Sequence, residues 1–291
     1  MKKVLSVLLV ALMLASVLAV GASAVVRDDG LNHDYGEIAN VERRSIRLDA
    51  IKDSAYDEAE EIEINTVSAN SSAPAEGRTL ADAVAYVVYD SEYIWVFVEV
   101  NDASLVTKAA GPLQSGYQQD SIELVFDFAN KGEDKANESP YQCRLTHEGY
   151  ISARIGQKGT TLQGTYEQGS PNPVSWLDGF ALHTTDAAGN VTGYNCEFKV
   201  TIPEGVEIGD EVGMNIMIND YDENGGSRIM ITSNSTDPVC DQWKANLYGN
   251  ITLDDSDPYT ADTAIIYVAV AMVAVLAIGS VTLVSLKKKA K

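Results

Sequence analysis

Glu123 and Arg144 are the side chains best placed to do chemistry in this chain. Each sits in a short run whose apolar and polar residues alternate, so each points away from its own apolar row. In GYQQDSIELVFDF, Ile122, Leu124, Phe126 and Phe128 share one face, while Ser121, Glu123, Val125 and Asp127 share the other. In YQCRLT, Tyr141, Cys143 and Leu145 turn inward and leave Gln142 and Arg144 outward. Tyr117, just ahead of the first run, stands where an aromatic ring can overhang that polar face. A carboxylate, an amide and a guanidinium offer donors and acceptors in fixed directions, with the strength of charge-assisted hydrogen bonds. An aromatic face nearby attracts the apolar, slightly positive C–H face of a ring-shaped polyol. The combination suits a lectin-like surface.

A second set suits a hard cation. Asp220, Asp222 and Asn224 fall in DYDENG, which matches the opening of a calcium loop, D-x-D-x-N-G. The twelfth position is Ile231 rather than glutamate, so an EF-hand is excluded, and a polar hairpin turn is the alternative reading. Asp127 and Asp134, in DFANKGED, are equally eligible oxygen ligands. Catalysis finds no support. His33, His147 and His183 are the only histidines, and none lies in a nucleophile or metal motif. There is no G-x-S-x-G, H-E-x-x-H or phosphate loop. The 42 carboxylates are too many for a glycosidase pair to be picked out. No catalytic residue is assigned.

The elements that must hold these side chains read as strands. AVAYVVYDSEYIWVFVEVND, residues 83–102, is a β-hairpin, with Trp95 in its core. From Tyr194 to Ile202 the alternation is cleanest, with Tyr194, Cys196, Phe198, Val200 and Ile202 on one face and Asn195, Glu197, Lys199 and Thr201 on the other. Val212 to Asp220 repeats it with Val212, Met214, Ile216 and Ile218. Arg228–Thr232 and Asn250–Leu253 are shorter candidates, and Asp53–Glu61 suggests a single helical turn. The expected fold is all-β, an antiparallel two-sheet sandwich of jelly-roll type with one wet sheet face. Cys143 and Cys196 both point inward, as buried thiols or as one disulfide, and Cys240 makes the count odd.

The two ends read as an address. Lys2 and Lys3, the apolar run Val4–Val20 and then Ala22-Ser23-Ala24 make a signal peptide over residues 1–24. Residues 264–286 are uncharged and long enough to cross a bilayer as a helix, and Lys287, Lys288, Lys289 and Lys291 follow them. The positive-inside rule then puts 287–291 in the cytoplasm and the rest outside the cell. Between these ends lie a lead segment, 25–44, one β domain, 45–253, and a stalk, 254–263. With the two leading and four trailing lysines set aside, 15 of the 21 basic residues face 42 acidic ones, a net of −27. Such a field excludes nucleic acid and anionic membrane surfaces as partners and leaves neutral or cationic ones.

Several pieces, in order, carry a resemblance: IRLDAIKDSAYDEA, AYVVYDSEYIWVFVEVND, YQQDSIELVFD, YQCRLT, GYNCEFKVTIP, GMNIMINDYDENGGSR and QWKANLYGNITL. Across roughly residues 46–253 the chain resembles the family 9 carbohydrate-binding modules, antiparallel sandwiches related to DOMON domains. The resemblance implies non-catalytic binding of plant-type polysaccharide or oligosaccharide chains at the cell surface, in association with glycoside hydrolases. It also implies an aromatic clamp made by Tyr117 and Trp243, with Glu123, Arg144 and Gln142 bonding the sugar hydroxyls. Members of the family can hold structural calcium. Two departures stand out. Tyrosine replaces the usual tryptophan at 117, and Cys240 stands where an asparagine can contact the sugar. Trp176, in SPNPVSWLDGF, is the rival sugar platform. The alternative function is a membrane-anchored structural or adhesion protein without sugar affinity.

Overall fold

The computed structural model describes residues 34–42, 44–69, 71–74, 76–107, 118–132, 140–156, 162–165, 175–222, 227–233 and 245–254. Fourteen strands run through them: β1 (Asp34–Asn40), β2 (Ile62–Ile64), β3 (Thr66–Val67), β4 (Asp82–Tyr89), β5 (Tyr93–Asn101), β6 (Ser121–Asp127) and β7 (Tyr141–Thr146), then β8 (Tyr150–Ile155), β9 (Leu162–Thr165), β10 (Leu177–Thr185), β11 (Val191–Thr201), β12 (Glu211–Asp222), β13 (Ser227–Thr232) and β14 (Gly249–Leu253). The single helical turn expected near residue 53 is a 3₁₀ turn, Ser54–Glu58. The fold is all-β.

The hairpin forms because Asp90 organises its bend. Asp90 Oδ1 accepts hydrogen bonds from the Glu92 and Tyr93 amides at 2.8 and 2.9 Å, an Asx turn that reverses the chain between β4 and β5. One sheet runs β10-β11-β5-β4, with β2 antiparallel to β4. The other runs β14-β12-β6-β7-β8-β9, with β13 on β12 and β3 on β13. β1 joins them: Asp34–Ile38 runs parallel to β14, and Ala39–Asn40 runs parallel to β4. β1 lies inside what the sequence reads as a lead segment, 25–44.

The two sheets meet on the predicted apolar rows. Ile94, Val96 and Val98 of β5, Ile122, Leu124 and Phe126 of β6, Tyr194, Phe198 and Val200 of β11 and Met214, Ile216 and Ile218 of β12 are all fully buried in one cluster. Each such side chain contributes about 1.5–3 kcal/mol on burial. Cys143 and Cys196 lie in that layer as free thiols, which settles the choice left open by the sequence. Burial pushes both thiols well above their ordinary range.

The outer faces are where expectation and structure part. On the β4–β5–β11 sheet, Tyr86, Val88, Trp95 and Phe97 are covered by Val41, Ile46 and Tyr56 from the segment leading into β2. Trp95 is therefore buried beneath this flap rather than between the sheets, and its Nε1 donates to Asp90 Oδ2 at 3.0 Å. Glu197, expected on a solvated face, is fully buried there. Its Oε2 accepts the Asp49 and Ala50 amides at 2.9 Å, and Tyr56 donates its hydroxyl to Oε1 at 2.9 Å. Burial raises the Glu197 carboxyl to about 7, against the pull of those bonds. On the other sheet, all seven residues of β6 are buried, so the face carrying Ser121, Glu123, Val125 and Asp127 is not open to water. Val125 packs there against Met217, Ala245 and Tyr248. Alternation separates the two faces of a strand; it carries no information about an irregular segment that returns from far along the chain to cover one.

The expected signal peptide, 1–24, and membrane helix, 264–286, lie outside the described residues. Among the described residues no helix is long and apolar enough to cross a membrane.

Candidate functional site

Four strands build the site. Glu123 on β6 stands in register with Arg144 on β7 and with Met217 on β12. Two residues along β12 is Asn219, and β13 brings Arg228 opposite Tyr221. Pleating puts Glu123, Gln142, Arg144 and Asn219 on one face, because each lies an even number of steps from an outward-facing neighbour.

Glu123 is the hub. Arg144 donates to Oε2 from Nε at 3.0 Å and from Nη2 at 2.6 Å. Gln142 Nε2 donates to Oε1 at 2.5 Å. Asn219 Nδ2 reaches Oε2 at 3.3 Å and Ser121 Oγ at 3.1 Å. Arg228 Nη2 lies 3.4 Å from the same Oε2, and its Nε donates to Asn219 Oδ1 at 2.5 Å. Burial pushes the Glu123 carboxyl up, but the Arg144 and Arg228 guanidiniums and the Gln142 bond outweigh it and hold it below its usual range. The carboxylate is thus ionised, with two cations around it.

Exposure is graded across this cluster. The Glu123 side chain is wholly buried, whereas Arg144 and Arg228 keep 13% and 22% of theirs accessible. The carboxylate is an internal anchor for two arginines whose side chains stay partly accessible. One carboxylate among two guanidiniums leaves a local excess of one positive charge on a chain of net −21. Beside it, Val125 lies two residues along β6, so the turn Ala245–Leu247 packs on the same sheet face as Glu123. Chemically this is a rigid donor array: planar, charged N–H groups with fixed directions, suited to hydroxyl oxygens of a neutral ligand.

Sequence reasoning found Glu123, Gln142 and Arg144, and the structure brings these three together. It missed Asn219 and Arg228. The signal was present, since Asn219 continues the outward row of β12 and Arg228 opens a strand candidate, but linking them to Glu123 requires the β13-β12-β6 pairing. Tyr117 and Trp243 lie outside the described residues. Trp176 is half-buried and stands edge-on to Tyr141, ring centroids 4.9 Å apart, against the inter-sheet core. Of the calcium candidates, Asn224 and Asp134 also fall outside. Asp220 and Asp222 belong to β12 rather than to a free loop. Asp220 extends the inward row of β12. Its Oδ1 accepts from Arg78 Nη2 and its Oδ2 from the Ala81 amide at 3.0 Å. Asp127 is buried, with Oδ2 accepting the Gly132 amide at 3.0 Å.

Comparison with known proteins decides the family. A model described as "Carbohydrate family 9 binding domain-like" matches residues 48–256. The chain belongs to that family. It is a family of non-catalytic carbohydrate-binding modules. Among solved structures, a family 9 carbohydrate-binding module from Caldicellulosiruptor kristjanssonii in complex with cellotriose is similar at 15% identity, TM-score 0.53, over 77% of this chain and 99% of that one. The same organism's module in complex with glucose gives 16% identity and TM-score 0.53, over 77% and 100%. At these identities the likeness is one of fold. No curated protein matches the chain. The family 9 assignment agrees with the all-β architecture, and the matched span begins after β1 and takes in the whole Glu123 cluster.

Proposed function

We propose that this family 9 domain binds saccharide without catalysis, on the sheet face organised by Glu123. The observation that carries this reading is the graded cluster: a buried, ionised carboxylate that locks two guanidiniums and two amides while the two arginine side chains stay partly accessible. The partial exposure of Arg144 and Arg228 above the buried carboxylate is the feature a ligand-binding role would use. Tyr117, six residues before Glu123, and Trp243, two residues before the turn that packs on Val125, are the expected aromatic walls. The solved relatives that hold cellotriose and glucose support a glucan or a related plant-type polysaccharide as the ligand class. Residues 1–24 and 264–286 supply an export signal and an anchor, so the module displays its site outside the cell, tethered by one helix, where it retains polysaccharide fragments beside the enzymes that release them.

Titration calorimetry of the full chain with glucose, cello-oligosaccharides and xylo-oligosaccharides tests this. Arg228→Ala removes one donor edge and weakens binding at least tenfold, about 1.4 kcal/mol. Trp243→Ala removes a wall and weakens it comparably, by loss of ring stacking. Absence of heat with every sugar, on a folded protein, would leave only an anchored scaffold.

A further inference from the structure

A pair of histidines joins the two sheets at one margin of the sandwich. His147 follows β7 directly, and its amide donates to the Asp120 carbonyl at 3.1 Å. His183 lies in β10, opposite Tyr194 of β11. Gly179 and Ala181 stand on the same row of β10, opposite the core residues Phe198 and Cys196, so His183 continues the inward row to where the sandwich opens. His147 is buried and His183 is exposed. Neither belongs to a metal motif in the sequence; the packing of one sheet on the other brings them together. Nδ1 of His147 and Nε2 of His183 come within 2.9 Å, with the ring planes 20° apart and the centroids separated by 5.2 Å.

The hydrogen bonds fix which nitrogen of His147 is bare. Thr107 donates its only hydroxyl proton to Glu148 Oε1 at 3.1 Å. Its oxygen, 3.0 Å from His147 Nε2, therefore accepts the proton on that nitrogen. Burial, and after it the neighbouring His183, holds the His147 ring below its ordinary range, so near neutral pH it carries that one proton. This leaves Nδ1 as a lone pair aimed at His183, whose Nε2–H donates to it. A carboxylate–hydroxyl–imidazole chain of this kind is the outer support that orients a metal-ligating histidine and sets its tautomer. Glu148 and Asp102 add negative charge around His147, which favours a cation there.

We propose that His147 Nδ1 and His183 Nε2 together bind a divalent transition metal of the nitrogen-seeking class, copper foremost and zinc after it, as a bridge between the two sheets. Imidazole nitrogens suit these ions, whereas calcium and magnesium take oxygen. Two nitrogens bound to one tetrahedral ion at 2.0–2.1 Å lie about 3.3 Å apart, so the pair need open only slightly, within reach of an exposed side chain. The ion takes the place of the proton that His183 Nε2 donates. That ring then holds its proton on Nδ1, and no covalent bond to carbon changes. Among the described residues no third imidazole, thiol or carboxylate joins the pair. The remaining positions therefore go to water, and the metal exchanges instead of being locked in. The inference is independent of sugar binding, because no residue of the Glu123 cluster takes part.

The test is calorimetry of the full chain with copper(II) chloride and with zinc chloride, in excess calcium so that oxygen sites are already filled. Copper binds at one site per chain, more tightly than zinc. The electron paramagnetic resonance spectrum of the copper form shows coupling to two imidazole nitrogens. His183→Ala, at an exposed position, weakens copper binding at least tenfold and reduces the coupling to one nitrogen, a change that misfolding does not mimic. His33→Ala alters neither. The proposal is overturned if His183→Ala binds copper as tightly as the parent, if His33→Ala removes the signal, or if the spectrum shows oxygen ligands alone; the pair would then share a proton and nothing more.

Discussion

Glu197 and Glu123 are both buried glutamates on strand faces that the sequence assigns to solvent, and their surroundings drive them in opposite directions. Glu123 has two guanidiniums beside it and stays ionised. Glu197 has only neutral donors, and burial lifts its carboxyl from an ordinary 4.5 to about 7. A carboxyl raised in the folded state binds its proton more tightly there than in the unfolded chain. Its stabilising contribution is complete below pH 4.5, is lost as pH rises from 4.5 to 7, and is flat above. Glu123, lowered in the fold, contributes above its unfolded value and loses that contribution as the medium becomes more acid. Urea melts at pH 5 and pH 8 will show a fall of roughly 3 kcal/mol traceable to Glu197. Glu197→Gln, which keeps an acceptor for the Asp49 and Ala50 amides, removes the Glu197 share of that slope and leaves the share of Asp120, which burial also raises to about 7. An unchanged slope in the variant would place the titration elsewhere.

Among elements, the β10–β11–β5 edge depends on one glycine. β11 carries a bulge, since Thr184 pairs with Gly193 while Thr185 pairs with Val191, leaving Thr192 as the extra residue. The Thr192 carbonyl then accepts the Asp102 amide at 3.1 Å. Gly193 fits because it has no side chain: a Cβ there would lie 1.9 Å from the Val100 carbonyl oxygen, which is backbone and cannot step aside. Gly193→Ala forces β11 away from β5 and costs about 2–3 kcal/mol, read as a lower melting temperature. Rotamer adjustment would give a negligible change instead. The inner rows of β5, β6, β11 and β12 were legible because period-two alternation is a direct record of which side is dry. Their outer rows were not, since Val41, Ile46 and Tyr56, and on the other sheet Ala245 and Tyr248, arrive from irregular segments without a period. The same limit divides the candidate site. Gln142 and Arg144 sit on the strand after Glu123, whereas Arg228 comes from 105 residues away through two further strand pairings.

Across the whole molecule, the strand that closes the structure is the first one. β1 takes partners from both sheets, β14 along Asp34–Ile38 and β4 at Ala39–Asn40. Its Tyr35 and Ile38 are buried in the common core. The family match begins at residue 48, after this strand has ended. A protein trimmed to that boundary would therefore lose a seam rather than a tail. It would leave β14 and part of β4 with unpaired backbone N–H and C=O groups along open margins, which are templates for pairing with other chains. Size-exclusion chromatography of residues 34–256 should give a monomer, and of residues 48–256 a self-associating species. Where to cut this protein is thus a question about dangling hydrogen bonds, and the answer lies upstream of the residues that define its family.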